Sequence, residues 1–513
     1  MSSKLKRSEN WLALIEKIES YALQGLHENC RDAFSKLDSK KIPRSLKVRF
    51  AELAFRINFP IMTLKILKPC IYPISPFAEK ASDKEKMIYS SSLASLGVVR
   101  DALSVLKTVD VENEPESLFH IASTHMFDWD YENALEVLKQ YIAVASLPPY
   151  KKLVGNVNLV ACFITLRQWD DAKKLVTQCI EQCVQNSYQL LLGNCLELKG
   201  QIELFNGDYE KAIVTFQQAR SCLAHQKGNY LLFVEKWIVF CQGKISNNLQ
   251  RHLVEKEFSS LKDKALQIGH WATLRECDLL QAILLQDEDL IRKVYLGTPS
   301  TVYRKRIKNF YGQTISNTNN YQLRLGSLDT DTPLVRFDPL ARLPNQSGLF
   351  QKPKLLQIFK ALSEDFYQPS TIGYLFQKTY PTERFNAETS IPRVLQLLRS
   401  LNKWFSQQNL PLRVLFKKSE FKLVSEAPIL VTIHRLNQID SVNGNLIALK
   451  DHFKFREFSA QHVGEVLNIS GSTAGRFLEA ALQKKLIQKR GNGRGTVYRI
   501  AQVRNKIRNK KSA

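Results

Sequence analysis

The stretch LLGNCLELKGQIELFNGDYEKAIVTFQQA, Leu191–Ala219, decides how the first three hundred residues are read. Apolar residues recur at spacings of three and four on both sides of the Asn206-Gly207-Asp208 break, the pattern of two helices joined by a tight turn. Gly200 and Ala212 are the small positions that let the two helices approach. Tyr209, Phe216 and Ala219 complete the alternation of large and small along the seam.

Weaker copies precede this hairpin. FDWDYENALEVLKQYI places Tyr131 and Ala134 in equivalent positions, RQWDDAKKLVTQCI offers Trp169 and Ala172, and GVVRDALSVLKTV offers Gly97 and Ala102. The alanines at 102, 134, 172 and 212 are separated by 32, 38 and 40 residues, which implies lengthened helices or loops. These residues resemble the tetratricopeptide-repeat superfamily, clearly over residues 85 to 222 and loosely over 11 to 295. The resemblance implies a curved helical scaffold that binds a protein, a peptide or a small signal. The Tyr, Trp and Phe residues of the repeats are read as packing between neighbours rather than as ligand contacts.

A chain of 513 residues is too long for one core. Its net charge of +24 is unevenly placed: residues 301–513 hold 35 Lys and Arg against 14 Asp and Glu, leaving residues 1–300 almost neutral. A basic field of that kind attracts a polyanion, although charge alone does not separate DNA, RNA and an anionic membrane. The start lacks a secretory signal, and no 18-residue apolar run occurs. The nine cysteines, Cys30 to Cys277, contain no C-x-x-C pair, so a reducing, cytoplasmic compartment is expected.

The basic cluster YRKRIKNFYG, Tyr303–Gly312, closes the scaffold and begins a linker. Beyond it the periodicity changes. Short alternating segments in YQLRLGS and PLVRF lead to expected helices at Lys354–Phe366, Ile372–Lys378 and Thr389–Gln407, then a strand-turn-strand through PLRVLFKKSEFKLV. The last 65 residues repeat this order: a short helix in EFSAQHVGEVL capped by Ser459, a second in NISGSTAGRFLEAALQKK capped by Ser470, and a Gly-rich hairpin in LIQKRGNGRGTVYRI. Val463, Val466, Leu467, Phe477, Leu478 and Leu482 form one buried face there. Ser472, Thr473, Arg476 and Glu479 take the other, and the hairpin presents Lys489, Arg490, Asn492 and Arg494.

This segment looks like bacterial winged-helix DNA-binding domains. The resemblance implies that Ser472, Thr473 and Arg476 are recognition-helix positions and that Arg494 is the wing arginine. Gly471 and Gly475 depart from a good helix former, at a cost of about 1 kcal/mol each. They either admit a close backbone approach or weaken the helix.

The preceding module, Tyr321 to Ser425, resembles the DNA-binding domain of OmpR-type response regulators. In TSIPRVLQLLRSLNKWFSQQNL the apolar set Val394, Leu397, Leu398, Leu401, Trp404 and Phe405 is buried, which exposes Arg393, Gln396, Arg399, Ser400 and Lys403. Lys417 and Lys418 suit the following wing. Asn402 stands where that family often has an arginine.

No nucleotide-binding glycine motif or H-E-x-x-H occurs, so no catalytic residue, cofactor or metal ligand is assigned, and the chain is read as a non-enzyme. The expected fold is mainly α: a repeat scaffold at 1–300, a basic linker at 301–320, winged helices at 321–426 and 427–503, and a basic tail at 504–513 holding Arg504, Lys506, Arg508, Lys510 and Lys511. Two readings stand. One is a cytoplasmic, nucleoid-associated bacterial transcriptional regulator binding double-stranded DNA, able to act as a homodimer and without a membrane partner. The other is a scaffold subunit of a protein or ribonucleoprotein assembly, resembling PCI-domain subunits, whose winged helices contact proteins.

Overall fold

The computed structural model describes residues 2–224, 230–246, 251–316, 319–326, 333–341, 348–417, 419–434, 449, 452–453, 456–467, 471–483 and 486–500, and for residues 2–10, Thr473 and Arg494 only the backbone. The fold is mainly α, with small sheets confined to the C-terminal part. Two compact units divide it: Met1–Asn317 with Ala361–Gln396 and Leu415–Lys422, and Thr318–Lys360 with Leu397–Val414 and Leu423–Ala513.

The first unit is a succession of antiparallel helix pairs. The helices Gln189–Phe205 and Tyr209–Leu223 form the quoted hairpin, and Ala102, Ala134, Ala172 and Ala212 are all buried at pair seams. Gly200 shows why that seam needs small residues. A Cβ there would lie 2.5 Å from the Phe216 ring, so any larger side chain forces the helices apart. Phe216 stacks on Trp237 of the next helix, Leu231–Ile245, with ring centroids 6.4 Å apart. The aromatic residues thus pack repeat against repeat. Among the described residues no helix is long and apolar enough to cross a membrane.

The basic YRKRIKNFYG stretch forms the helix Thr301–Tyr311, capped by the Ser300 hydroxyl. Tyr303 and Ile307 are buried in the scaffold core. Tyr303 meets Trp129 edge-on at 4.8 Å, and Phe310 meets Phe205 at 4.7 Å. This helix therefore links pairs far apart in the sequence.

The segment Ala361–Gln396 packs within the same unit. Thr371 Oγ1 donates to the Leu96 carbonyl at 2.5 Å, and Tyr374 N–H donates to the same oxygen at 2.9 Å. Phe385 N–H reaches Asp101 at 2.6 Å and Lys68 pairs with Glu388 at 2.6 Å. Two glycines make the approach possible: a Cβ on Gly373 would sit 2.4 Å from the Leu96 oxygen, and one on Gly97 would sit 2.9 Å from Tyr374 Cβ. Gly373→Ala is expected to loosen this contact, because a backbone oxygen cannot swing aside as a side chain can. Limited proteolysis should then cut within 361–396 sooner than in the parent, and an unchanged pattern would refute it.

Deeper in the unit, Asp278 accepts from Tyr367 Oη at 2.9 Å and pairs with Lys293 at 2.8 Å and Lys262 at 3.0 Å. Burial opposes its ionisation, but the two ammonium groups outweigh burial and hold its pKa below the ordinary aspartate value. A lowered folded-state pKa contributes stability above the unfolded value, about 3.9, and loses it as pH falls through the folded value. The stability difference between the parent and Asp278→Asn should therefore shrink below about pH 4. Urea unfolding followed by tryptophan fluorescence at several pH values measures it.

In the second unit, strand Ile429–His434 lies between Asn320–Leu325, antiparallel, and Val335–Phe337, parallel. Phe337, Phe359, Trp404 and Phe405 form a ring cluster beneath it, at centroid separations of 5.8 to 6.4 Å. The helices expected around 354, 372 and 389 occur as Pro353–Leu362, Ile372–Thr379 and Ser390–Gln407, followed by strands Leu412–Lys417 and Glu420–Ser425.

Candidate nucleic-acid interface

The last described segment contains helix Ala460–Leu467, helix Gly471–Gln483, and the antiparallel strands Ile487–Arg490 and Val497–Ile500. Phe458 bridges Tyr498, adding a third strand position to the hairpin. Its core holds Phe458, Val463, Leu467, Phe477, Leu478 and Ile487, with Val466 and Leu482 half-buried. The face expected from the spacing is therefore the buried one. Ser459 caps the first helix, its hydroxyl accepting from His462 N–H at 3.3 Å. Ser470 lies outside the described residues.

The opposite face of Gly471–Gln483 exposes Ser472, Arg476 and Glu479. The Arg476 guanidinium donates back to the Ser472 carbonyl at 3.5 Å, so it lies along the helix rather than into the core. Lys489, Arg490 and Asn492 are exposed on the hairpin. Arg490 is within 3.6 Å of Glu457, a surface pair that screens little of its charge. Gly491 and Gly493 take positive φ, +83° and +65°, which a tight tip requires. The side chains of Thr473 and Arg494 lie outside the described residues.

Gly471 and Gly475 find an explanation in space, not in packing. Among the described residues, a Cβ at either would meet nothing within 4 Å. No described neighbour requires them, and both glycines are exposed. Gly475→Ala is accordingly expected to stabilise this helix by about 1 kcal/mol. Thermal unfolding checks this, and a simultaneous loss of duplex affinity would mark a partner's backbone lying against that face.

On helix Ser390–Gln407, Val394, Leu398, Leu401, Trp404 and Phe405 are buried, and Arg393, Gln396, Arg399 and Lys403 are exposed. Arg393 is already engaged. Its guanidinium makes two bonds to the Glu383 carboxylate at 2.5 and 2.9 Å and lies 4.0 Å from the Tyr380 ring centroid. Arg399 and Lys403, one turn apart, are exposed cations. Lys417 is exposed at the end of its strand, and Lys418 falls outside the described residues.

Asn402 gains a structural role that its position in the sequence did not suggest. Its Oδ1 accepts from Val414 N–H at 2.8 Å, and its Nδ2 donates to the Val414 carbonyl at 3.5 Å. The amide supplies one donor and one acceptor to the strand, which a guanidinium, donor only, cannot do. Nothing local in the sequence signals this pairing.

Among the described residues no group of three or more His, Cys, Asp or Glu is placed to hold a metal ion. Cys179 and Cys183 are buried in the apolar core of the repeats, with Cys183 Sγ 4.0 Å from Cys195 Sγ.

No known family model matches the chain, and no curated protein sequence matches it. Solved structures do. A kinesin light chain from Podosopora anserina with nearly identical TPR-like repeats is similar at 16% identity, over 35% of this chain and 93% of that one, with a TM-score of 0.29. Aspartyl phosphate phosphatase F from Bacillus subtilis is similar at 16% identity, over 60% and 87%, with a TM-score of 0.36. A Rap protein complexed with competence and sporulation factor is similar at 10% identity, over 78% and 97%, with a TM-score of 0.33. At these scores the helical-hairpin architecture of this chain rests on its own geometry.

Proposed function

We propose that the chain is a non-catalytic, DNA-binding transcriptional regulator in which a helical-repeat scaffold binds a partner or signal and two winged helices in the C-terminal part bind double-stranded DNA. The observation that carries this reading is the C-terminal assembly. A helix pair packs through Val463, Leu467, Phe477 and Leu478 and turns Arg476 outward, and the hairpin after it exposes Lys489, Arg490 and Asn492. Residues 451–513 contain 14 Lys and Arg against 4 Asp and Glu, so the field around that face is strongly positive.

A helix bearing Ser472, Thr473 and Arg476 suits the major groove, and a short Gly-rich wing carrying Arg494 suits the adjacent minor groove or backbone. Phosphate neutralisation supplies affinity, while Arg476 contributes sequence choice. In the first module Arg399 and Lys403 take phosphate contacts, and Gln396, Lys417 and Lys418 are further candidates for the duplex. Arg393 contributes only if it leaves Glu383. Binding of the full chain to mixed-sequence duplex across a salt series tests the reading, and no binding at low salt would end it.

Internal contacts favour a second reading, a scaffold subunit whose winged helices contact proteins. Ala361–Gln396 packs within the scaffold unit, and Asn402 and Arg393 serve internal bonds. Under that reading duplex affinity stays weak and indifferent to Arg476. The expected location of the regulator is the cytoplasm, at the nucleoid.

A further inference from the structure

The repeat unit contains a cavity of about 330 Å³ whose chemistry differs from the rest of the scaffold. Three cations line it, Arg167, Lys244 and Arg306, together with the ring faces of Trp169, Phe205 and Phe310 and the amide of Asn309. Among the described residues no carboxylate belongs to that lining. Other cations of the unit contrast with these by meeting carboxylates. Lys236 pairs with Glu276 at 3.0 Å, and Lys262 and Lys293 share Asp278.

None of the three pocket cations has a carboxylate in ion-pair contact among the described residues. Arg306 reaches only the neutral Gln201 amide, at 3.4 Å, and lies over the Phe205 and Tyr303 rings at 5.9 and 5.6 Å. Glu276 feels Arg306 electrostatically but is bonded to Lys236. Lys244 sits over the Phe240 ring at 5.5 Å. Arg167 ends its helix in the left-handed conformation, φ +63°, beside Trp169. A larger cavity of about 390 Å³ in the same unit contrasts with this one, since its Lys378 and Glu364 neutralise each other at 2.9 Å.

We infer that the cavity bounded by Arg167, Lys244 and Arg306 is a binding site for a small ring-bearing organic anion, a carboxylate or a phosphate on a flat ring. Cations crowded together without a counter-ion repel one another, and an anion entering among them removes that repulsion while gaining charge-assisted bonds. Trp169 and Phe205, 5.2 Å apart and tilted by 33°, with Phe310 4.7 Å from Phe205, give a flat ring apolar faces to lie on. The volume lies near the lower end of small-molecule sites, about 300–1,000 Å³, too small for more than one such group. This goes beyond DNA recognition and stands without it, since every lining residue belongs to the repeat unit.

Isothermal titration calorimetry of the full chain tests it, with adenosine monophosphate and 4-hydroxybenzoate as the two anion sources. Adenosine and 4-hydroxybenzamide serve as neutral counterparts, and inorganic phosphate as the ringless one. Saturable binding is expected for at least one ring-bearing anion, about tenfold or more tighter than its neutral counterpart and, for the nucleotide, than phosphate alone. Lys244→Met and Arg167→Gln, both exposed and so tolerant of replacement, should each weaken it about tenfold. Lys305→Met, on the Thr301–Tyr311 helix but outside the lining, should not. Thermal midpoints equal to the parent's confirm that the variants are folded. The inference is overturned if neither anion binds below about 1 mM, if neutral counterparts or phosphate alone bind as well, or if both pocket variants bind like the parent.

Discussion

Replacing Arg275 by methionine is expected to cost the repeat unit about 3–5 kcal/mol. Arg275 is 1% exposed and is ion-paired with Asp365. Its guanidinium also lies 5.1 Å from the Trp129 ring centroid and 5.3 Å from that of Tyr367. Methionine keeps most of the volume but leaves the Asp365 carboxylate, only 14% exposed, without its counter-charge. Asp365 itself organises the turn it sits in, accepting from the N–H groups of Tyr367 at 2.8 Å and Gln368 at 3.0 Å. Asparagine in its place keeps those bonds and removes the charge. The double variant Arg275→Met, Asp365→Asn should therefore recover part of the loss. Chemical denaturation of the three proteins measures both effects; an Arg275→Met variant as stable as the parent would contradict the role given to this pair.

The affinity of the full chain for mixed-sequence duplex is expected to fall by about 10³-fold between 50 and 200 mM salt if some six phosphates are neutralised. Arg476→Ala should lower affinity for a preferred site by roughly 5- to 150-fold, equivalent to about 1–3 kcal/mol, and relax the sequence preference there. Lys403→Ala should instead weaken all duplexes alike and make the salt slope shallower by about one. The contrast separates base reading from charge. Fluorescence anisotropy across salt concentrations reads both quantities, and equal behaviour of the two variants would refute the assignment of Arg476 to the groove.

Much of the scaffold was legible because its contacts are local. Ala134 and Ala172 are buried at pair seams, and Gly200 faces Phe216, as the spacing of three and four implied. The C-terminal face was legible for the same reason: Phe477 and Leu478 point inward, so Ser472 and Arg476 point outward. A helix has one geometry, and the positions of its side chains follow from it.

Arg393 shows where that reasoning stops. Periodicity placed it on the exposed face, and it is there, yet its charge is directed to Glu383 across a turn that no periodic pattern encodes. The cationic cavity was likewise invisible. Arg167, Lys244 and Arg306 come from three helix neighbourhoods separated by many residues, two within the nearly neutral residues 1–300 and one beyond them, so no charge count along the chain groups them.

The succession of helical pairs, the faces they bury, the concentration of positive charge after residue 300 and the outward placement of Arg476 were all readable from residue spacing and composition. Those are consequences of local geometry and of composition. Only the tertiary structure decided that Thr301–Tyr311 packs into the repeats, that Ala361–Gln396 bonds to the Leu96 carbonyl and Asp101, and that three cations share one cavity. Each of these depends on chain segments meeting across tens to hundreds of residues, where burial and hydrogen bonding select partners that spacing along the chain does not specify.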